Sequence, residues 1–147
     1  MSGEPTSGKA ETRAEIPAEV LDSIRSVCLA LPEVYEEEAW TGTRWRVRKR
    51  TFAHVLLIES GWPPAYARAA ATDGPVCVLM FRSSGMELAV LRDHDHPYFA
   101  PAWRADEVGL LLDSALDRDE LAGLLTDSFC VVAPRKLAQA VEPRLRD

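Results

Sequence analysis

No apolar run in the chain approaches the roughly 18 residues a membrane-spanning helix needs, so its hydrophobic residues are available for a core. The first fifteen residues, MSGEPTSGKAETRAE, lack the apolar centre of a secretion signal. They read as a disordered tail, 1–15, ahead of a single domain over 16–147, and the expected location is the cytoplasm, with no membrane partner. Cysteine is scarce: Cys28, Cys77 and Cys130 are odd in number and contain no C-x-x-C pair. That excludes a disulfide framework and the usual zinc spacings, and their apolar neighbours ("SVCLAL", "PVCVLM", "SFCVVA") read as buried, reduced thiols. Also missing are a Ser-His-Asp pattern, a pair of catalytic carboxylates and a phosphate-binding loop. The only small-residue candidate for such a loop, "SSG" at 83–85, has no lysine after it. No catalytic residue and no cofactor is expected, and nothing commits the chain to an enzyme. Internal repeats and a second domain are absent as well.

Positive charge is in deficit overall, with 17 Lys and Arg against 23 Asp and Glu and a net charge of −6. Such a balance argues against bulk attraction to nucleic acid. Yet Arg44, Arg46, Arg48, Lys49 and Arg50 fall within seven positions of "TRWRVRKRTF", leaving the rest of the chain near −11. The cluster is a sharp exception to its background.

Periodicity supplies the elements. Val20, Ile24, Val27, Cys28 and Leu31 recur every three or four residues after Pro17, which predicts a first helix ending at or before Leu31, where Pro32 follows. "YEEEAW" reads as a short exposed strand. In "TRWRVR" Trp45 and Val47 alternate with the three arginines, so the arginines share one face of a strand and the apolar pair the other. "RKRT" reverses the chain, and "FAHVLLIES" returns it. One helical turn is predicted near Ala65–Ala71, a central strand at "VCVLMFR", a short helix at "SSGMELAVLRDH" with Met86, Ala89 and Val90 inward, a loop through "DHDHPYFAPAW" and a strand at "EVGLLLD". Asp117, with Glu120 three residues on, opens a long helix carrying Leu121, Leu124, Leu125 and Phe129. Pro134 breaks it, and "PRKLAQAVE" restarts as a terminal helix. Helices at both ends around four or five strands predict an α+β fold, an antiparallel sheet flanked by an N-terminal helix and C-terminal helices.

These segments together resemble the MmcQ/YjbR family of small bacterial proteins. "LALPEVYEEEAW" resembles the family's leucine-proline-acid signature, and "RVRKRTFAHV" its valine-x-glycine-lysine-x-phenylalanine-alanine hairpin. "WRADEVGLLLD" resembles its tryptophan-then-strand segment, and "DELAGLLTDSFCVVAPRKL" its closing helix with a serine-aromatic-x-hydrophobic-valine stretch before a lysine. The likeness spans Ile16 to Ala140 and implies a frataxin-like (CyaY-like) fold, described as a double-wing DNA-binding motif. One departure stands out: the family's hairpin glycine falls at Lys49 and its lysine at Arg50. Lysine there implies either a different turn or backbone strain.

Two readings of the hairpin follow. Arginines at alternate positions step about 6.5–7 Å, close to the spacing of phosphates on one strand, and each can hold a phosphate through two hydrogen bonds. This makes the chain a weak, non-specific DNA-binding protein acting through Arg44, Arg46, Arg48, Lys49 and Arg50. The opposing reading is an edge hairpin guarded by charge, its arginines neutralised across strands by Glu36, Glu37 and Glu38. Elsewhere, Asp93, His94 and His96 would be the first residues a metal recruited, but a solvated loop is the expectation and no metal site is assigned. The acidic run "EVYEEE" reads the same way. Trp40, Trp45, Trp62, Trp103, Tyr66, Tyr98 and Phe99 cluster near loops. The alternative function is a non-enzymatic small-molecule-binding or protein-interaction module built on Gly61–Gly74 and His94–Trp103.

Overall fold

The computed structural model describes residues 15–112 and 117–146. Most of the tail expected at 1–15 lies outside them. The first helix, α1 (Ala18–Cys28), follows Pro17, whose carbonyl accepts from the N–H groups of Val20 and Leu21 at 3.1 Å. Its stripe points inward as the spacing demands: Ile24, Cys28 and Leu31 are buried, with Val20 and Val27 packed against them.

The chain then builds β1 (Tyr35–Glu38), β2 (Thr43–Val47) and β3 (Arg50–Ile58). A short helix, α2 (Pro64–Ala70), and β4 (Val76–Arg82) follow, then α3 (Gly85–Arg92), β5 (Tyr98–Phe99) and β6 (Glu107–Leu111). Two helices, α4 (Arg118–Val132) and α5 (Arg135–Arg146), close it. The strands form one antiparallel sheet in the order β1-β2-β3-β4-β6-β5, and the fold is α+β. Among the described residues no helix is long and apolar enough to cross a membrane.

The two faces of this sheet differ. On one, Trp45, Val47, Ala53, Val55, Leu79, Phe81, Val108 and Leu110 meet α1 and α4 in the main core. Phe52 and Phe129 pack edge-to-face there, with centroids 5.6 Å apart and both rings fully buried. Each ring contributes about 1.5–3 kcal/mol through its removal from water. The Asp117 carboxylate caps α4, accepting from the N–H groups of Asp119 and Glu120 at 3.1 and 3.2 Å. On the opposite face Leu56, Ile58, Val78, Met80 and Leu111 form a smaller core under Ala67 and Ala70 of α2 and under Phe99. The Phe99 ring lies across Gly109, where a Cβ would stand 2.1 Å from its Cζ atom, so only glycine admits it. This cover is partial and leaves the Arg44–Arg82 end of the face open.

Sequence and structure part at several points. Met86, Ala89 and Val90 face solvent rather than inward, Met86 at 80% exposure, while α3 packs through Leu88 and Leu91. The segment read as a loop contains β5, a two-residue strand paired with Leu110 and Gly109. The helical stretch near Ala65 begins at Pro64 and makes nearly two turns. In the β2–β3 turn Arg48 and Lys49 take φ of 50° and 67°. The chain therefore keeps a two-residue, left-handed hairpin turn and accepts the strain of non-glycine residues within it.

Candidate functional site

Arg44 and Arg46 do share one face of β2, opposite the buried Trp45 and Val47. Of the two readings of the hairpin, cross-strand neutralisation describes Arg44 and Arg46, and four of the five cations have specific partners. Register places Glu37 directly across from Arg44. Its Oε2 accepts from Arg44 Nε at 2.8 Å and from Arg46 Nη1 at 3.1 Å. Arg46 Nη2 also donates to the carbonyl of Lys49. Arg48, in the turn, pairs with Glu33 at 2.7 Å. Arg50 Nη1 donates to the Val132 carbonyl at 3.2 Å, satisfying an acceptor at the C-terminus of α4. Lys49 is exposed. Glu36 turns to the other face: it takes two hydrogen bonds from Arg25 at 2.9 Å and one from the Trp45 indole at 3.0 Å. These bonds hold the Glu36 carboxyl below the usual carboxylate range, Arg25 first, as Arg44 then Arg46 do for Glu37.

The open end of the second sheet face holds a cleft of about 320 Å³. Its floor is a set of cross-strand neighbours. Arg44 faces His54 across β2 and β3, and Arg82 faces Glu107 across β4 and β6. Thr51 adds a hydroxyl beside them. The walls come from two loops and a short helix: Trp40 from the β1–β2 turn, Tyr66 from α2, and Trp103 with Arg104 from the segment before β6. The aromatics brace one another edge-on, Tyr66 against Trp103 at 5.0 Å, Trp40 against Trp62 at 5.5 Å and His54 against Tyr66 at 6.2 Å. Gly42 makes the β1–β2 turn possible, because a Cβ there would sit 2.0 Å from the Val55 carbonyl oxygen.

The polar groups of the cleft are fixed in place. His54 Nε2 donates to the Thr41 carbonyl at 2.7 Å, which leaves Nδ1 as the acceptor of the neutral ring. Burial, and then Arg44, push the His54 pKa down against that hydrogen bond. Glu107 Oε1 accepts from the Trp103 indole at 2.8 Å, and burial pushes its pKa up, against Trp103, Arg104 and Arg82. Burial thus disfavours the charged form of both groups. Arg82 is only 9% exposed; its side chain donates to Asp106 at 3.2 Å, and its backbone N–H to Ser128 at 2.7 Å.

The sequence had singled out Trp40, Tyr66, Trp103 and His54, but not Thr51, Arg82, Arg104 or Glu107. Arg82 ends an apolar run and Glu107 begins another, and only the β4–β6 pairing shows them to be opposite. Elsewhere, His94 Nδ1 donates to the Asp95 carbonyl at 2.8 Å and its ring packs on Tyr98 at 5.3 Å. Among the described residues no three His, Cys, Asp or Glu side chains converge as a metal site requires. All three cysteines are thiols; burial raises that of Cys28 above its usual range and pushes Cys77 up to about 11.

Among solved structures, the chain is similar to protein DR2400 of Deinococcus radiodurans, which carries a DUF419 domain. The two are 21% identical with a TM-score of 0.57, covering 86% of this chain and 87% of that one. A protein from Pseudomonas syringae is similar at 17% identity and a TM-score of 0.46, over 69% of this chain and 78% of that one. No curated protein matches the chain. The family model described as YjbR matches residues 29–131, from the end of α1 through the cleft-bearing strands to α4, and on that match the chain belongs to the YjbR family.

Proposed function

We propose that this chain is a binding module that takes a small molecule in the cleft between the sheet and its aromatic loops. One observation carries the reading. An opening of about 320 Å³ combines three aromatic walls with a few fixed polar groups, two of them, His54 and Glu107, shifted from their ordinary pKa. Aromatic walls beside convergent polar groups with perturbed titrations mark a candidate ligand site. A thermal-shift screen tests it. A ligand at 100 times its Kd stabilises the folded state by about 2.7 kcal/mol, a rise of several degrees for a chain of this size. Such a rise in the wild type, lost in Trp103→Leu, supports the reading. Hits that shift both proteins equally, or no hit from a chemically broad library, reject it.

Contact with nucleic-acid phosphates through Arg44, Arg46, Arg48, Lys49 and Arg50 is the competing reading. What supports it is the exposure of the turn, where Lys49 and Arg48 reach solvent. Against it, a phosphate must displace Glu37 from Arg44 and Arg46, and the Val132 carbonyl from Arg50. Only Lys49 and Arg48 come cheaply, since exposed ion pairs are worth about 0–1 kcal/mol. Two phosphate contacts give a slope of about −2 in log affinity against log salt, and five give about −4.5. Fluorescence anisotropy with duplex and single-stranded DNA at two salt concentrations separates the readings. Equal weak signals from the wild type and an Arg44/Arg46/Arg48→Ala triple variant are expected if the cleft is the working site; a steep slope lost in the variant favours the hairpin.

A further inference from the structure

The binding reading leaves open what chemistry the cleft selects, and Arg82 narrows it. A guanidinium has five N–H donors and cannot discard its charge. Arg82 is nine-tenths buried, yet its side chain makes one hydrogen bond among the described residues, to Asp106. None of its nitrogens is both sealed from solvent and without a partner, and the residue lines the cleft. A buried, charged donor set facing a cavity is completed by an acceptor from outside, and most strongly by an anion.

The second half of the recognition lies one strand away. Glu107, opposite Arg82, holds the Trp103 indole at 2.8 Å, and Trp103 meets Tyr66 edge-on at 5.0 Å. That fixes two aromatic walls beside the arginine, suited to a flat ring. The cleft, at about 320 Å³, lies at the small end of ligand sites and suits one ring system with its substituent rather than a polymer.

We infer that the cleft binds a small aromatic anion, its carboxylate or phosphate on Arg82 and its ring against the wall that Tyr66 and Trp103 form together. This rests on the cleft being a binding site at all, and the test keeps the two apart. Chemical-shift titration of the ¹⁵N-labelled protein, followed at the Trp103 indole N–H, compares two pairs of probes. Benzoate is set against benzamide, and adenosine monophosphate against adenosine; each pair shares its ring and differs in charge. The anion of at least one pair is expected to bind about tenfold or more tightly than its neutral partner, the effect of one charged hydrogen bond. Preference in the first pair points to a carboxylate source, and in the second to a nucleotide. Arg82→Gln is expected to erase the preference and Arg82→Lys to retain part of it. If Arg82→Gln does not fold, Tyr66→Leu, read at the same indole, supplies the check, weakening both members of a pair. Equal binding of charged and neutral members overturns the aromatic anion while leaving the cleft a binding site. Silence of the Trp103 resonance with all four probes at millimolar concentration, or shifts confined to the β2–β3 turn, also overturns it.

Discussion

Ser128 offers a sharp test of how the sheet is locked to α4. Its hydroxyl is fully buried, donates to the Phe52 carbonyl at 2.5 Å and accepts from the Arg82 N–H at 2.7 Å. Phe52 lies at the irregularity where the β2–β3 register shifts beside Trp45 and Arg46, and Arg82 closes β4. One side chain therefore satisfies two backbone groups on neighbouring strands. Ser128→Ala removes it with almost no change of volume. An unsatisfied buried group costs about 1–3 kcal/mol, and two of them about 2–5. Alanine returns roughly 0.5 kcal/mol through its better helix propensity, so a net loss of about 2–4 kcal/mol is expected. At a urea slope of about 2 kcal/mol/M this moves the midpoint down by roughly 1–2 M with the slope unchanged. The thermal midpoint falls by about 5–12 °C. Ser26→Ala, on the exposed side of α1, serves as control and is expected to stay within about 0.5 kcal/mol. A Ser128→Ala variant as stable as that control refutes the reasoning, because both backbone groups would then have found other partners at no cost.

Lys49→Gly relieves one left-handed residue worth about 1–2 kcal/mol but adds unfolded-state entropy, so a net gain of about 0.5–1 kcal/mol is expected by urea denaturation; destabilisation would contradict the strained turn. Glu36 and Glu107 should respond to pH in opposite senses. The folded pKa of Glu36 is lowered, so its contribution is present above the unfolded value of about 4.3 and is lost as pH falls through the folded one. The folded pKa of Glu107 is raised, so its ionised form weakens the fold at neutral pH and the penalty disappears on acidification. Glu107→Gln is therefore expected to be more stable than wild type at neutral pH and Glu36→Gln less, both differences shrinking in acid; parallel stability curves would contradict this. Cys28 and Cys77 are expected to resist a thiol reagent in the native state at neutral pH and to react after unfolding, a difference read as absorbance of the released chromophore.

Much of the fold could be read from local pattern. The α1 stripe, the alternation around Trp45 and the Asp117 cap each depend on neighbours a few positions away, and each forms as its spacing requires. What escaped depends on partners distant in the chain. α3 has only two turns, so its sequence admits more than one apolar stripe, and packing selects Leu88 and Leu91 over Met86 and Val90. β5 exists because Gly109 has no Cβ to exclude Phe99. Cross-strand neutralisation of the arginines is one of the two readings, but which glutamate meets Arg44 is set by the β1–β2 register, and a slip of one residue would have turned Glu36 toward it instead of Glu37. The aromatics of the cleft were visible as types, whereas Arg82 and Glu107 were hidden at the ends of apolar runs until the strands were paired.

Phe81 packs in the helix-covered core while Arg82, the next residue, lines the cleft, and the Arg82 N–H is tied through the sheet to Ser128 of α4. The floor of the cleft is thus the reverse side of the core wall, and its geometry is inherited from packing on the far side. Trp40, Trp103 and Arg104 lie outside that wall. Descendants of this chain can retune the rim by exchanging loop residues at little cost in stability, whereas moving the guanidinium beneath requires rebuilding the protein's interior.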